Sequence, residues 1–364
     1  MRLTSRCDIN VGYSCNERCQ FCYYMQTVRE HDRSKDLTTS EVKRWLDYLR
    51  RRGLDTVDLT GGEPTIRRDL FDLVRYARDV GFRSVSVITN GLRLAEAQYA
   101  RDLVAAGVDD VLVSIHGATA AVHDRVTEVR GSFDRAVQAV RNLAAHPVRV
   151  RANCVVSGHN YRTAPDVLRL FQDLGIETAN FILFNPIVEA DWRTEPELNV
   201  AYADAAPHLQ AAIDGYHDKF RRVVVRYIPF CLMRGYEQYV TNMPQLQYDP
   251  DEWDYLVRTR IREGWPIATA ALVAGMLLHR TKRRALAAGW DVFAHEGIKR
   301  FLEVKNKVRG PACRECAYRY ICDGLWRHYV EWKGTDELRT VPGEPLLDPT
   351  HFMRPVPPRA EARP

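Results

Sequence analysis

Between residue 7 and about residue 184, short apolar runs alternate with stretches whose apolar residues recur at helical spacing. The runs CDINVGY, TVDLTG, SVSVITN, DVLVSIHG, VRVRANCVV and TANFILFNP are short, rich in β-branched residues and closed by polar or turn residues, so they predict six strands. The stretches between them, TSEVKRWLDYLRRRG, RDLFDLVRYARDVG, AEAQYARDLVAAG, SFDRAVQAVRNLAAH and APDVLRLFQDLG, predict helices, most of them running out at a glycine. Strands separated by helices pair in parallel. Right-handed βα repetition wraps such a sheet into a full or partial barrel, with its chemistry in the loops at the carboxyl ends of the strands. The expected fold class is therefore α/β, a partial (β/α)6 TIM-like barrel.

Beyond residue 190 the pattern changes. AYADAAPHLQAAIDGYHDKF reads as a helix, RRVVVRYIPF as a strand, and residues 250–308 as two or three helices, ahead of a cysteine-rich stretch at 311–323 and a Pro-rich tail. The expected division is a core barrel over 1–190, a smaller cysteine-rich α+β domain with a helical insertion over 191–340, and an extended tail over 341–364. The segment Thr241 to Gly310 is expected to help cover the barrel mouth, its aromatics in YDPDEWDYL either meeting a substrate or packing.

Charge and composition narrow the function classes. The chain has 364 residues, with Lys+Arg 52 against Asp+Glu 47, and the excess is scattered through helical stretches as a solvated face is, which argues against a nucleic-acid partner. The N-terminus has no apolar core of signal-peptide length, and the longest apolar run, PIATAALVAGMLL, is too short to span a bilayer. The expectation is a cytoplasmic protein without a membrane partner. In a reducing cytosol, 9 cysteines point to metal ligation or redox chemistry before disulfides. Seven fall into two sets, leaving Cys7 and Cys154, the latter an ordinary buried thiol.

The first set, Cys15, Cys19 and Cys22 in SCNERCQFCYY, puts three thiolates in one small loop directly after the first strand. A structural zinc site wants a fourth ligand, for which His31 is the nearest later candidate. On a four-iron cluster, three ligands leave one iron open to a substrate. With Phe21 before Cys22, the loop resembles the Cys-x3-Cys-x-aromatic-Cys signature of the radical S-adenosylmethionine (radical SAM) superfamily, and the barrel is then of the radical SAM type. The resemblance implies a 4Fe-4S cluster whose open iron chelates S-adenosyl-L-methionine (SAM), reductive cleavage to a 5′-deoxyadenosyl radical, and hydrogen abstraction from a substrate.

TGGEP after the second strand looks like the family's GGEP motif. Gly61 and Gly62 would let backbone approach the methionyl amino group, and the Glu63 carboxylate suits its charge. By the same resemblance Thr89 and Asn90 in ITNG and Ser114 in VSIHG contact SAM, with Ser114 at the ribose or carboxylate. His116 either touches substrate or is structural. In VRANCVV, Arg151 and Asn153 share a face by period-two alternation, and a fixed guanidinium there suits the SAM carboxylate. No residue is singled out as the catalytic acid or base.

The second set, Cys313, Cys316 and Cys322 in GPACRECAYRYICDG, looks like part of a twitch or SPASM domain, an appendage that holds an auxiliary iron-sulfur cluster. Cys231 in YIPFC completes four ligands, enough for one closed 4Fe-4S cluster, and zinc suits the same four thiolates. The implied activity is a tailoring oxidoreductase acting on a small polar natural-product precursor by oxidation or epimerisation, with the auxiliary cluster assisting electron transfer. The alternative is a peptide maturase acting on a ribosomally made precursor. Such maturases often carry a peptide-binding module before the barrel, whereas here the barrel begins within ten residues of Met1. A non-catalytic metalloprotein is a third class, disfavoured by the SAM-contact motifs. The implied partners are a small-molecule or peptide substrate and an external one-electron donor such as flavodoxin or ferredoxin.

Overall fold

The structure is a computed structural model that describes residues 4–22, 24, 36–185, 196–246, 248–251 and 306–354. His31, the apolar run at 266–278, most of the helices expected over 250–308, the aromatics after Asp251 and the end of the tail lie outside the described residues.

In chain order, β1 (Arg6–Asn10) is followed by α1 (Thr39–Arg51), β2 (Thr56–Thr60), α2 (Leu70–Asp79), β3 (Ser84–Thr89), α3 (Ala97–Ala106) and β4 (Asp110–Ser114). Then come α4 (Ala120–Thr127), α5 (Ser132–Ala144), β5 (Arg149–Val156), α6 (Ala164–Asp173), β6 (Thr178–Leu183), α7 (Tyr202–Tyr216), β7 (Arg222–Arg226) and β8 (Val240–Thr241). The eight strands form one sheet in the order β1 to β8, each parallel to its neighbours. The helices begin and end where local chemistry dictates. Thr38 and Glu41 form a reciprocal capping box on α1, and Gly107, at φ 121°, ends α3 in a conformation a side chain resists.

The sheet does not stop at residue 190. Thr178 to Ile182 pair with Arg222 to Arg226, so α7 and β7 are one more βα unit rather than the start of a different architecture. The stretch 184–201 lacks either periodicity, which reads as a boundary in sequence although the crossover simply resumes beyond it. The cysteine-rich segment is a separate small hairpin, β9 (Lys307–Val308) antiparallel to β10 (Leu325–Trp326), followed by α8 (Arg327–Lys333). It docks on α7, where Tyr329 stacks on Tyr202 at 4.1 Å and accepts a hydrogen bond from the Tyr202 backbone N–H.

Alternation along the strands sorts the side chains. The outer positions, such as Cys7, Ile9, Val57, Leu59, Val85, Val87, Val111 and Val113, pack under the helices. The inner positions are mostly polar, with Ile88, Leu112, Val155 and Ile182 among them, and the polar contacts show that the sheet curls. Arg6 on β1 reaches Asp110 on β4 at 3.0 Å, although strands three spacings apart in a flat sheet lie about 14 Å from each other. Arg151 on β5 likewise reaches Asp58 on β2 at 3.2 Å.

These contacts belong to a buried charge lattice at the amino end of the barrel. Asp110 accepts from Arg6, Arg149 and Arg151, Asp58 from Arg6 and Arg151, Asp251 pairs with Arg149, and Asp249 with Arg222. Burial alone would raise the Asp110 carboxyl, but the guanidinium groups of Arg151, Arg6 and Arg149 reverse that and hold it well below the carboxylate range.

Candidate functional site

The three cysteines of the first set lie on the loop that leaves β1 at the carboxyl end of the sheet. Asp36 fixes the start of this loop, accepting from the backbone N–H groups of Tyr13 and Ser14 at 2.7 and 3.0 Å and from the Ser14 hydroxyl at 2.5 Å. Its middle is tied to the end of α4, the Arg18 and Gln20 N–H groups donating to the carbonyls of Thr127 and Val126. Within the loop, the N–H groups of Glu17 and Tyr24 point at the sulfurs of Cys15 and Cys22, each at 3.4 Å. Burial pushes the Cys15 and Cys19 thiols up, and the carboxylates of Glu63 and Glu17 respectively add to the effect. Burial also lifts Glu17 to about 8.

The GGEP turn after β2 packs directly on this loop. The Gly62 N–H donates to the Gly12 carbonyl at 2.7 Å and the Glu63 N–H to the Ser14 carbonyl at 2.8 Å. A Cβ on Gly62 would lie 2.1 Å from the Ser14 oxygen, and Gly61, at φ 129°, would drive one to 2.2 Å from Asn10. The close approach that requires these glycines is thus made by the cysteine loop itself.

Glu63 is 3% exposed and its carboxylate serves as a bracket. Oε1 accepts from the Thr65 N–H, the Thr65 hydroxyl and the Thr89 hydroxyl, and Oε2 accepts from the Asn90 N–H at 2.8 Å. Burial raises the carboxyl while these donors, Thr65 foremost, oppose it. Oε2 keeps capacity for a further donor.

The sequence-expected residues divide at this point. Thr89 does not face the barrel interior. It lies on the outer parity of β3, its hydroxyl donating to Glu63 and accepting from the Gly91 N–H. Asn90 ties β3 to the cysteine loop by donating to Asn16 at 2.8 Å. Arg151 is withdrawn as a carboxylate ligand, because its guanidinium sits in the amino-end lattice with Asp110, Asp58 and the Ser86 hydroxyl at 2.8, 3.2 and 3.1 Å.

Ser114 and Asn153 are adjacent in the β4–β5 register, inward-facing and half-buried, and the Asn153 Oδ1 has no hydrogen-bond partner among the described residues. With Thr60, Ile88, Val155 and Ile182, also inward and half-buried, they line a hollow in the carboxyl half of the barrel.

His116 is structural. Its Nδ1 accepts from the Val155 N–H at 3.1 Å, and its own N–H donates to Nδ1 of His123, whose ring stacks on it. Burial holds both imidazoles low, His123 at about 4, so both are neutral with the proton on Nε2. Phe21 meets the His116 ring edge-on at 4.6 Å. Sequence reasoning missed Glu17, Asp36 and His123. The only signal for Asp36 was a turn-forming acid ahead of a helix cap.

The second set also assembles. Cys231, in the short turn after β7, and Cys313, Cys316 and Cys322 line a single cavity, together with Pro229, Tyr318 and Gly324. Backbone N–H groups of Arg339, Gly310 and Gly324 approach the sulfurs of Cys231, Cys313 and Cys322. Burial raises these three thiols, Cys322 to about 12. Gly324 adopts φ 75°, and a Cβ there would strike the Val308 carbonyl at 2.4 Å. All nine cysteines are free thiols. Among the described residues no group of three or more His, Cys, Asp or Glu is compact enough to share one ion, so the four thiols surround a space rather than a point.

A curled parallel sheet with a three-thiol loop after its first strand, braced by a buried Glu-bearing turn after its second, defines the class. Residues 9–171 match the radical SAM superfamily, and that stretch is a radical SAM domain. Enzymes of this family use a 4Fe-4S cluster and SAM.

Among curated proteins, the chain is 31% identical over 180 residues to a probable GTP 3',8-cyclase of Saccharolobus solfataricus, covering 49% of this chain and 56% of that protein. It is 34% identical over 171 residues to a probable GTP 3',8-cyclase of Methanopyrus kandleri, covering 46% and 52%. The chain thus spans about half the length of the curated relatives it matches. Among solved structures, HydG, a maturase of the FeFe-hydrogenase, superposes with a TM-score of 0.52 at 15% identity, covering 67% of this chain and 57% of that one, a likeness of fold. No helix among the described residues is long and apolar enough to cross a membrane.

Proposed function

We propose that this enzyme binds a 4Fe-4S cluster through Cys15, Cys19 and Cys22, cleaves SAM reductively there, and abstracts hydrogen from a small polar natural-product precursor held in the carboxyl half of the barrel, giving an oxidised or epimerised product. A three-cysteine cluster with SAM on its open iron supplies the one-electron reduction that makes the adenosyl radical. The observation that carries the reading is the cysteine loop itself, which lies against the Glu63 turn within a radical SAM domain.

The chain's own residues have separate tasks. The N–H groups of Glu17 and Tyr24 favour the thiolate form of Cys15 and Cys22. Glu63 Oε2 accepts from the methionyl ammonium while Thr65, Thr89 and Asn90 fix its carboxylate. Ser114 and Asn153 bond the polar end of SAM or substrate from the inner wall. The polar groups of Thr60, Ser114 and Asn153, set among the apolar Ile88, Val155 and Ile182, are what support a small hydroxylated or amino-bearing substrate. Cys231, Cys313, Cys316 and Cys322 would hold a closed auxiliary cluster, which would supply one-electron acceptor chemistry beside the barrel. A one-electron donor from outside the chain reduces the first cluster.

The test uses anaerobically reconstituted, reduced enzyme with deuterated candidate substrates. Deuterium in 5′-deoxyadenosine identifies the substrate, and absence of any SAM cleavage would refute the reading. A second reading is favoured by the relatives named GTP 3',8-cyclase: cyclisation of a purine nucleoside triphosphate. Incubation with GTP separates the two, since turnover of GTP would replace the small-molecule precursor.

A further inference from the structure

The cavity lined by Cys231, Cys313, Cys316 and Cys322 has a charge feature that ligation of a cluster does not require. Arg309, Arg319 and Arg339 also line it, and among the described residues no carboxylate does. All three arginines are exposed at the rim. The Arg309 guanidinium donates to the Cys322 carbonyl at 2.8 Å, that of Arg319 donates to the Arg314 carbonyl at 2.8 Å and lies over the Tyr320 ring, and that of Arg339 donates to the Asp336 and Leu338 carbonyls at 2.5 and 3.1 Å. The buried acids beside the cavity are partnered: Asp323 pairs with Lys307 at 3.3 Å and accepts from the Met243 N–H, and Glu237 accepts from the Tyr318 hydroxyl at 3.0 Å. Three guanidinium groups with no lining carboxylate make the mouth of this pocket cationic.

We propose that Arg309, Arg319 and Arg339 form a cationic rim that raises the reduction potential of the cluster held by Cys231, Cys313, Cys316 and Cys322. This rests on the reading of those four thiols as a cluster site. A cluster bound by four thiolates is an anion, and one-electron reduction adds one more negative charge without changing its ligands. Cations at the rim therefore stabilise the reduced state more than the oxidised one. The N–H groups aimed at the sulfurs act in the same direction. The consequence is directional: the second cluster is poised to receive an electron from the substrate radical rather than to deliver one.

The test uses the full-length chain carrying Cys15→Ala, Cys19→Ala and Cys22→Ala, so that any iron reports on the second site. Iron near four per chain establishes the cluster, and no retained iron would remove the site and the rim together. With iron retained, the midpoint potential is followed by redox titration of the visible and EPR signals. Replacing all three arginines by Gln should lower it by about 59 mV, a tenfold change in the reduced-to-oxidised ratio for a one-electron couple. The three Arg→Lys replacements should recover most of that. Arg319→Gln alone, which touches no ligand backbone, should lower the potential in the same direction by less. Raised salt should narrow the gap between wild type and the Gln variant, because the rim is exposed. An unchanged potential in the triple Gln variant with full iron would overturn the inference while leaving the cluster in place. Equal loss in the Lys variant would overturn it too, since charge would not be the cause.

Discussion

The two ends of the barrel use the same inward-facing strand positions for opposite purposes. At the amino end, Arg6, Arg149 and Arg151 meet Asp58, Asp110 and Asp251 in a lattice closed from below by the 248–251 segment, whose Pro250 carbonyl also accepts from Arg6. Two to four residues further along β2, β4 and β5 the charges give way to neutral side chains, while Asp8 on β1 and Arg226 on β7 remain charged on the inner face. Thr60, Ser114 and Asn153 reach a hollow, and the neighbouring loops carry thiols and a bracketed carboxylate. In the first region buried charges neutralise one another; in the second, polar groups are held in place with capacity to spare. Binding capacity and stability are thereby separated along single strands, as barrels with chemistry at one face require.

Variants at either end should break this division in different ways. The largest effect is expected from replacing Cys15, Cys19 and Cys22 with Ala, which should abolish SAM cleavage by the reconstituted enzyme while circular dichroism and thermal unfolding stay near wild type. Retained cleavage would show that the carboxyl end is not the site.

Next in size is Asp110→Asn. It leaves three guanidinium groups short of a counter-charge and should cost roughly 3–5 kcal/mol in denaturant unfolding, as breaking a buried ion network does. A change below about 1 kcal/mol would mean that the lattice contributes little.

Acid probes the same end without mutation. Asp251, like Asp110, would be raised by burial, but Arg149, Arg151 and Arg222 hold it below the carboxylate range. A carboxyl whose folded-state value is depressed stabilises the fold above its unfolded value, near 3.9, and that contribution is lost as pH falls through the folded value. The melting temperature should therefore be flat around neutrality and fall steeply below about pH 4, and Asp110→Asn should flatten that fall.

At the carboxyl end, Glu63→Gln removes a charge-assisted acceptor worth about 1.5–3 kcal/mol, so the SAM dissociation constant should rise by roughly tenfold or more with iron content unchanged. The smallest effect is Ser114→Ala, which should weaken SAM binding several-fold, about 1 kcal/mol, with no change in unfolding. Loss of stability in that variant would assign Ser114 to the wall rather than to the site.

Period and spacing were enough to read most of this molecule from its sequence. The six strands and five of the six helices of the first half announce themselves by apolar repeat, the short α4 being the exception, and the cysteine loop and GGEP turn by spacing. Height along a strand is harder to read than face. Arg151 and Asn153 share the inner face, but about 6.6 Å of rise separates a structural cation from a site residue. Thr89 fails by parity, since it is the last residue of a strand whose inner set is Ser84, Ser86 and Ile88. The seventh strand was legible as a strand but not as part of the sheet, because the irregular stretch before α7 hides the repeat. Asp36 and Glu17 act as single residues through hydrogen bonds that no local pattern encodes.

The loop bearing the first three thiols is braced at its start through Asp36 and at its middle through the α4 carbonyls of Val126 and Thr127. Its ordering entropy, about 1–2 kcal/mol for each backbone residue fixed, is therefore spent when the chain folds and not when metal arrives. Maturation of the newly made enzyme can then proceed as insertion into a finished cradle. A variant that cuts the Asp36 brace should load iron more slowly than wild type, even where its final content is the same.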